Sequence, residues 1–327
     1  MPGPEPKGSI DEFEWIDRLL KPLASAAEAR GLADDVAVVP SRPGYDLVLT
    51  KDAMVEGVHF LPEDPLDLVA RKLLRVNLSD LAAKGATAYG YLLAVAWPSR
   101  CTWVDRSAFV EGLRADQSAY DLTLLGGDTV STPGPLVVSA TLLGWTPHGT
   151  AVSRAGACAG DGLYVTGVIG DGGLGLRAAR GEMNALGSAA VDDLVRAYRL
   201  PQPRTDLAAV VREIATASAD VSDGLLADAG RIAAASGVGV EIELDRMPVS
   251  PSGRAYLSGR DPASAAIELA TAGDDYQVVF TAGPEHAADA EQAATRIGVV
   301  TRGEGIRASW RGAQLTLDRL GWSHGGT

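Results

Sequence analysis

Two apolar runs constrain this chain most: YGYLLAVAW (89–97) and PLVVSATLLGW (135–145). Both fall far short of the roughly 20 residues that a bilayer-spanning helix needs, so they are expected as buried strands. Around them lie helical stretches at 64–86 and 103–120, and strand-like runs VAVV (36–39), DLVLT (46–50) and DLTLLGGD (121–128). Asp64-Pro65 marks the start of the first of these helices and Gly85 its end. The resulting order, β-α-β-α-β-β, calls for a sheet with helices packed on it. Upstream, Phe13, Ile16, Leu19, Leu20 and Leu23 share one face of a helix expected from about Asp11 to Arg30.

The stretch TPHGTAVSRAGACAGD (146–161) is rich in small residues and lacks periodicity, which marks a boundary. Beyond it strands are expected at 163–169, 238–245, 275–281 and around 309–317, with helices from about Leu174 and at 205–217, 224–237 and 285–298. The chain has 327 residues, enough for two cores. Its organisation is read as an N-terminal tail and helix (1–30), a first domain (31–150) and a second (151–327). The class is α/β of the α+β type, each domain a mixed sheet covered by helices.

Net charge is −13 and no cluster of Lys or Arg stands out. A surface that tracks phosphodiesters needs a basic stripe, so nucleic acid is not an expected partner, and neither is a membrane. The first residues, MPGPEPKGS, lack the basic and apolar regions of a secretory signal and read as a loose tail. The two cysteines, Cys101 and Cys158, show no CxxC spacing. That pattern fits a reducing compartment, and the cytoplasm is the expected location.

The motif GDGGLG (170–175) has the spacing of a dinucleotide-binding loop. The acids some twenty positions later, Asp192 and Asp193, fall in a helical stretch, so a tight strand-to-helix turn is the better reading. The aspartates say more. Asp34-Asp35 precede VAVV, Asp52 follows DLVLT, Asp128 ends LLGGD, and Asp274-Asp275 precede a strand. Asp220 and Asp223 sit at a strand-to-helix junction, where Ser222 and Asp223 can also cap the helix and Asp228 is expected to face solvent. Strand ends are where α/β folds gather their sites, and hard oxygen ligands from separate loops suit Mg²⁺. Asp80, by itself, reads as an i,i+4 partner of Lys84 worth about 0.2–0.5 kcal/mol. The paired glycines before Asp128 permit close backbone approach to an anion.

LVLTKDAMVEGVHF, KLLRVNLSDLAAKGA, LLGGDT, SRAGACAGDGLYVTG, DVSDGLLAD and AGDDYQVVFT follow one another along the chain. In this order they resemble the thiamine-monophosphate kinases, of the superfamily that includes aminoimidazole ribonucleotide synthetase and selenophosphate synthetase. The resemblance implies ATP-dependent phosphorylation of thiamine monophosphate to thiamine diphosphate, by direct in-line transfer assisted by several Mg²⁺ ions. It implies a homodimer formed largely through the N-terminal sheets. By motif, the metal-facing residues are Asp34, Thr50, Asp52, Asp80, Asp128, Asp220 and Asp223, with Asp80 and Asp128 catalytic through bound metal. Gly127, Asp128, Arg154 and Ser222 are implied for ATP, and His59, Asp274 and Trp322 for the thiamine phosphate. The chain departs from the family pattern at Ala33, Lys51, Ala272 and Gln277. The alternatives are another ATP-dependent enzyme of the superfamily, or a non-catalytic homologue that binds nucleotide or metal.

Overall fold

The computed structural model describes residues 12–183 and 185–322, so the N-terminal tail reading and Asp11 lie outside the described residues. The chain forms two compact units. One takes the described chain up to Leu81 with Thr87–Gly149, and the other takes Ala82–Ala86 with the chain from Thr150.

The first unit opens with a short helix α1 (Glu12–Trp15) and is built on strand β1 (Tyr45–Val55), helix α2 (Leu66–Ala83), β2 (Thr87–Pro98), α3 (Trp103–Tyr120), β3 (Thr123–Thr132) and β4 (Val137–Pro147). The sheet order is β1-β4-β2-β3, with β2 and β3 parallel and the other pairs antiparallel. Alternation along β2 sorts the faces: Tyr91, Leu93, Val95 and Trp97 are buried, while Leu92 between them is exposed. Trp97 meets Phe109 of α3 edge-on, at 5.5 Å between centroids, so the buried face is the one the helices cover. The opposite face carries exposed Leu47, Leu49, Leu92 and Val130.

Helix α3 starts at a capping box in which Thr102 and Asp105 satisfy each other's backbone N–H. Its buried Asp116 binds Arg75 of α2 through both oxygens, at 2.6 and 3.0 Å, and accepts from Arg71 at 2.9 Å. This buried Asp116–Arg75 ion pair ties α3 to α2.

Two readings of the N-terminal region are corrected. The helix expected up to Arg30 is broken into α1, a π turn (Ile16–Leu20) and 3₁₀ turns at Lys21–Leu23 and Ala27–Leu32. Pro22 removes a backbone donor, and Arg30 and Gly31 are left-handed. Trp15 is the buried anchor of the segment and packs on Trp97, whereas Phe13 is 75% exposed. VAVV (36–39) joins neither sheet. The Val38 N–H goes to the Glu28 carbonyl, and Pro40 and Pro43 have no N–H to donate to a ladder.

The second unit contains β5 (Gly162–Val165), α4 (Asp171–Ala179), α5 (Ser188–Arg199), α6 (Ala208–Ile214), β6 (Ala215–Asp220), α7 (Leu225–Ser236), β7 (Gly239–Glu243), α8 (Pro251–Leu257), α9 (Pro262–Ala270), β8 (Val278–Ala282), α10 (Ala287–Ala293), β9 (Thr295–Thr301), β10 (Gly305–Trp310) and β11 (Ala313–Gln314). The strands form one mixed sheet, β11-β10-β7-β9-β5-β8-β6, so both units have the expected α+β character. The helices expected at 205–217 and 285–298 end early, at Ile214 and Ala293, and pass directly into β6 and β9. Ala217 and Ala219 favour helix locally, yet both are fully buried against β8, and tertiary burial overrides their propensity. Helices α8 and α9, which periodicity did not reveal, each begin with an N-cap side chain followed by proline: Ser250-Pro251 and Asp261-Pro262. Among the described residues no helix is long and apolar enough to cross a membrane.

Replacing Asp116 by Ala leaves the 5%-exposed Arg75 guanidinium without its bidentate partner. The expected loss is about 3–5 kcal/mol of unfolding free energy, read as a lower denaturant midpoint at unchanged slope.

Candidate active site

In the first unit, Thr50 and Asp52 lie on the same side of β1, and Asn77 and Asp80 lie one turn apart on α2. The Thr50 hydroxyl donates to Asp80 at 2.5 Å. Asn77 accepts the Asp52 N–H at 3.1 Å and donates to the Leu73 carbonyl at 2.9 Å, which locks its amide. Asp80 is thus engaged by Thr50, while Lys84 reaches the Ser218 carbonyl at 2.6 Å. Burial pushes the Asp52 carboxyl up to about 6, and the neighbouring Asp80 charge adds to the rise. Two carboxyls held this close, one of them largely out of water, form a place where a cation relieves both burial and repulsion. Lys51, the departure that would compete with such a cation, is exposed and turned to the other face by strand alternation.

Among the described residues no three His, Cys, Asp or Glu side chains form a metal-ligating group. The pair with its hydroxyl nevertheless fits Mg²⁺, which takes one or two carboxylates and fills its remaining positions with water and phosphate oxygens.

Asp34 and Asp128 lie elsewhere in the unit. With Asp35, Gly126 and Gly127 they line a cavity of about 560 Å³ whose walls include Trp15, Leu20 and Leu124. The Arg30 guanidinium beside Asp34 holds its carboxyl below the usual range. Gly127 is required by space: a Cβ there would lie 1.8 Å from the Leu93 carbonyl oxygen. Cross-strand register aligns Asp128 with Ala94, Ser139 and Ala53. Asp128 therefore shares a face with Ala53 and not with Asp52, and it sits on the opposite edge strand, three strand spacings or about 14 Å away. Within one chain the sheet keeps Asp128 apart from the Asp52–Asp80 pair.

His59 closes the turn after β1. Its Nδ1 accepts the Val55 N–H at 3.0 Å, which leaves the proton on Nε2 as a donor.

In the second unit, Asp220 ends β6 and is nearly buried. The next turn is built by Asp228, which corrects its expected place in solvent: it is fully buried, and one oxygen accepts the N–H groups of Ser222 and Asp223, each at 3.1 Å. Arg231 bridges Asp228 and Asp223. The N-cap of α7 is Gly224, with no side-chain cap, so neither Ser222 nor Asp223 performs that role. Asp274 N–H donates to the Ser222 carbonyl at 2.9 Å, and Trp322 N–H donates to the Asp223 carbonyl at 2.9 Å. Asp220, Ser222, Asp223, Asp274 and the 56%-exposed Trp322 thus share one cluster of loops. Arg154 is exposed, in a segment whose Ser153 carbonyl accepts the Ser218 N–H of β6 at 2.9 Å.

The GDGGLG loop belongs to this cluster as packing. A Cβ on Gly172 would meet the Asp274 carbonyl oxygen at 2.2 Å, and one on Gly173 would meet Ala272 Cβ at 2.3 Å. The buried Asp275 carboxyl accepts from Gly170 N–H at 2.9 and 3.0 Å and from Gly172 N–H at 3.0 Å. Gln277, another departure, is buried and accepts from the Thr166 hydroxyl at 3.0 Å. Sequence reading overlooked Asn77, which holds β1 at Asp52, and Asp228, Arg231 and Asp275, which build the loops of the second unit. Asn77 had a signal, one helical turn before Asp80; for the others nothing local tells an inward acid from an outward one.

Asp52 and Asp128, expected at strand ends, lie inside β1 and β3, because both strands run on past them, and only Asp220 ends its strand. This pair of units, one on a four-stranded and one on a seven-stranded mixed sheet, is that of an AIR synthase related protein. The model for that family's N-terminal domain matches residues 33–146, and the model for its C-terminal domain matches residues 159–311. Thiamine-monophosphate kinase from Caulobacter vibrioides is 52% identical over 324 residues, covering 96% of this chain and 91% of that one. A crystal structure of thiamine-monophosphate kinase from Stenotrophomonas maltophilia superposes with a TM-score of 0.81 at 36% identity, covering 94% of this chain and 98% of that one. The structure of AaThiL complexed with AMPPCP and TMP gives 0.77 at 31% identity and covers 96% of each chain. The chain belongs to the thiamine-monophosphate kinase family.

Burial drives the Asp275 carboxyl up to about 8, with help from Asp171 and Asp274 and against the pull of the two glycine N–H donors. Between about pH 4 and 8 the folded chain then keeps a proton that the unfolded chain has lost, so stability falls as pH rises, by at most about 1.4 kcal/mol per unit. Asp275→Asn does not titrate. It is expected to gain on the wild type as pH rises through that window, measured by chemical denaturation of both proteins at pH 5 and pH 8.

Proposed function

We propose that the chain transfers the γ-phosphoryl group of ATP to the phosphate of thiamine monophosphate, giving thiamine diphosphate and ADP. The observation that carries this reading is the Asp52–Asp80 pair with its Thr50 hydroxyl, set in a chain of this family. The acceptor phosphate bears roughly −1.5 to −2 charge near neutrality and needs no general base. The obstacle is repulsion between two polyanions, about 4 kcal/mol per unit pair at ~4 Å and an effective dielectric near 20. Several Mg²⁺ ions, when bound, offset that repulsion and favour an in-line geometry.

The chain's part is to hold and to orient. Asp52 and Asp80 bind metal, Thr50 fixes Asp80, and Asn77 fixes the backbone at Asp52. Asp34, Asp128, Asp220 and Asp223 supply further oxygens, with Asp80 and Asp128 nearest the chemistry. Gly127, Arg154 and Ser222 receive ATP. His59 offers its Nε2 proton to the acceptor phosphate. Asp274 and the exposed Trp322 suit thiamine, whose ring cation favours a carboxylate and an aromatic face.

A homodimer completes this reading. The open face of the first sheet exposes Leu47, Leu49, Leu92 and Val130, an apolar surface of the kind that a second copy covers. Asp128 stands on that face, away from the Asp52–Asp80 pair of its own chain. In the dimer it serves the pair of the partner. The reaction is placed in the cytoplasm, in keeping with two free cysteines.

The direct test is purified protein with ATP, Mg²⁺ and thiamine monophosphate. Equal amounts of ADP and thiamine diphosphate are expected, and nucleotide binding without thiamine diphosphate would reject the reading. ADP released only with a different acceptor would place the chain with other enzymes of the superfamily. Asp52→Asn and Asp128→Asn should each fold normally and lower turnover by about 10²-fold or more. Co-refolded from a mixture, the two inactive variants should recover activity as heterodimers with one intact site. If the mixture stays as inactive as its parts, Asp128 acts within its own chain.

A further inference from the structure

The loop between α9 and β8 follows a path that few sequences accept. Gly273, Asp274 and Tyr276 all have positive φ, at 78°, 61° and 51°. Left-handed backbone is disfavoured for residues with a Cβ, and two such residues flanking one position persist only where the surroundings fix them. Part of the fixing is main-chain: Asp274 N–H donates to Ser222 O at 2.9 Å and Tyr276 N–H to Val221 O at 2.8 Å. The rest comes from the residue between them. Asp275 turns inward, 7% exposed, and its carboxyl takes up the N–H groups of Gly170 and Gly172. Those donors stand at the start of α4, where the helix itself supplies no acceptor.

The two loops fit as halves of one joint. Gly172 has no room for a side chain because the Asp274 carbonyl oxygen occupies that space. On the outer side, the Tyr276 hydroxyl donates to the Asp274 carboxylate at 3.1 Å. With Asp275 seated, Asp274 and Tyr276 are presented together; the carboxyl of Asp275 is what takes up the Gly170 and Gly172 N–H groups at the start of α4.

We propose that Asp275 is the positioning residue of the thiamine-phosphate subsite, holding Asp274 in its left-handed conformation by plugging the N-terminus of α4. The proposal rests on the reading of Asp274 as a thiamine contact. It assigns Asp275 no contact with substrate.

The test uses the full-length enzyme and varies ATP and thiamine monophosphate separately, with hydrogen exchange followed at residues 170–175 and 271–277. Asp275→Ala should raise KM for thiamine monophosphate about tenfold or more while KM for ATP stays within about twofold. Asp275→Asn can accept both glycine N–H groups through one oxygen and should return to within about threefold of wild type. Exchange in both segments should quicken in Asp275→Ala and stay slow in Asp275→Asn. An unchanged KM for thiamine monophosphate, or equal rises for both substrates, would overturn the proposal. If Asp275→Ala does not fold, Gly172→Ala carries the test, because its methyl group pushes on the Asp274 carbonyl. The same substrate-selective rise is expected there, and its absence overturns the proposal. A wild type inactive on thiamine monophosphate would reject the kinase reading itself, while unchanged exchange in Asp275→Ala would reject the joint whatever the kinetics give.

Discussion

Buried carboxyls that take up main-chain N–H groups hold the site loops of the second unit in shape. Asp228 gathers the amides of Ser222 and Asp223, and Asp275 gathers those of Gly170 and Gly172. Each lies within a run of acids that looks, in one dimension, like a set of ligands. In three dimensions the acids divide their labour. Some turn inward and satisfy donors that a tight turn would otherwise leave unpaired, and their neighbours are thereby aimed outward. A surface cation has a related place: Arg231 ties Asp223 to the buried Asp228.

The first unit uses a different device. Strand alternation and helical spacing bring Thr50, Asp52, Asn77 and Asp80 to one seam between β1 and α2. Burial and the neighbouring Asp80 charge push the Asp52 carboxyl up to about 6, so the pair gains from any partner that offsets its charge. The same alternation turns Lys51 away from the pair and Asp128 toward the open face. One sheet thus offers acids on both of its faces.

Much of the fold was legible because periodicity and punctuation agree. The β-α-β-α-β-β order of the first unit, the long α2 and α3 helices and most strands of the second follow from the spacing of apolar residues. The failures share a cause. VAVV has a strand's composition but no partner, and ATA (215–217) has a helix's composition but lies beside β8. The N-terminal helix breaks where Pro22 removes a donor, although its apolar spacing continues. Strand pairing is a property of what lies alongside, and no local pattern contains it.

For the candidate site, the sequence by itself determined the inventory: the scattered aspartates, the paired glycines before Asp128, and the ordered motifs that place the chain in its family. Tertiary structure alone decided which way each acid turns. Asp274 and Asp275 are neighbours of identical chemistry, yet one stays at the surface cluster while the other is buried, because α4 begins with N–H groups facing only one of them. Asp52 and Asp128 each follow an apolar strand run in the sequence, yet the sheet sets them on opposite faces. A side chain's direction follows from the register and donors around it, and these exist only once distant segments have come together.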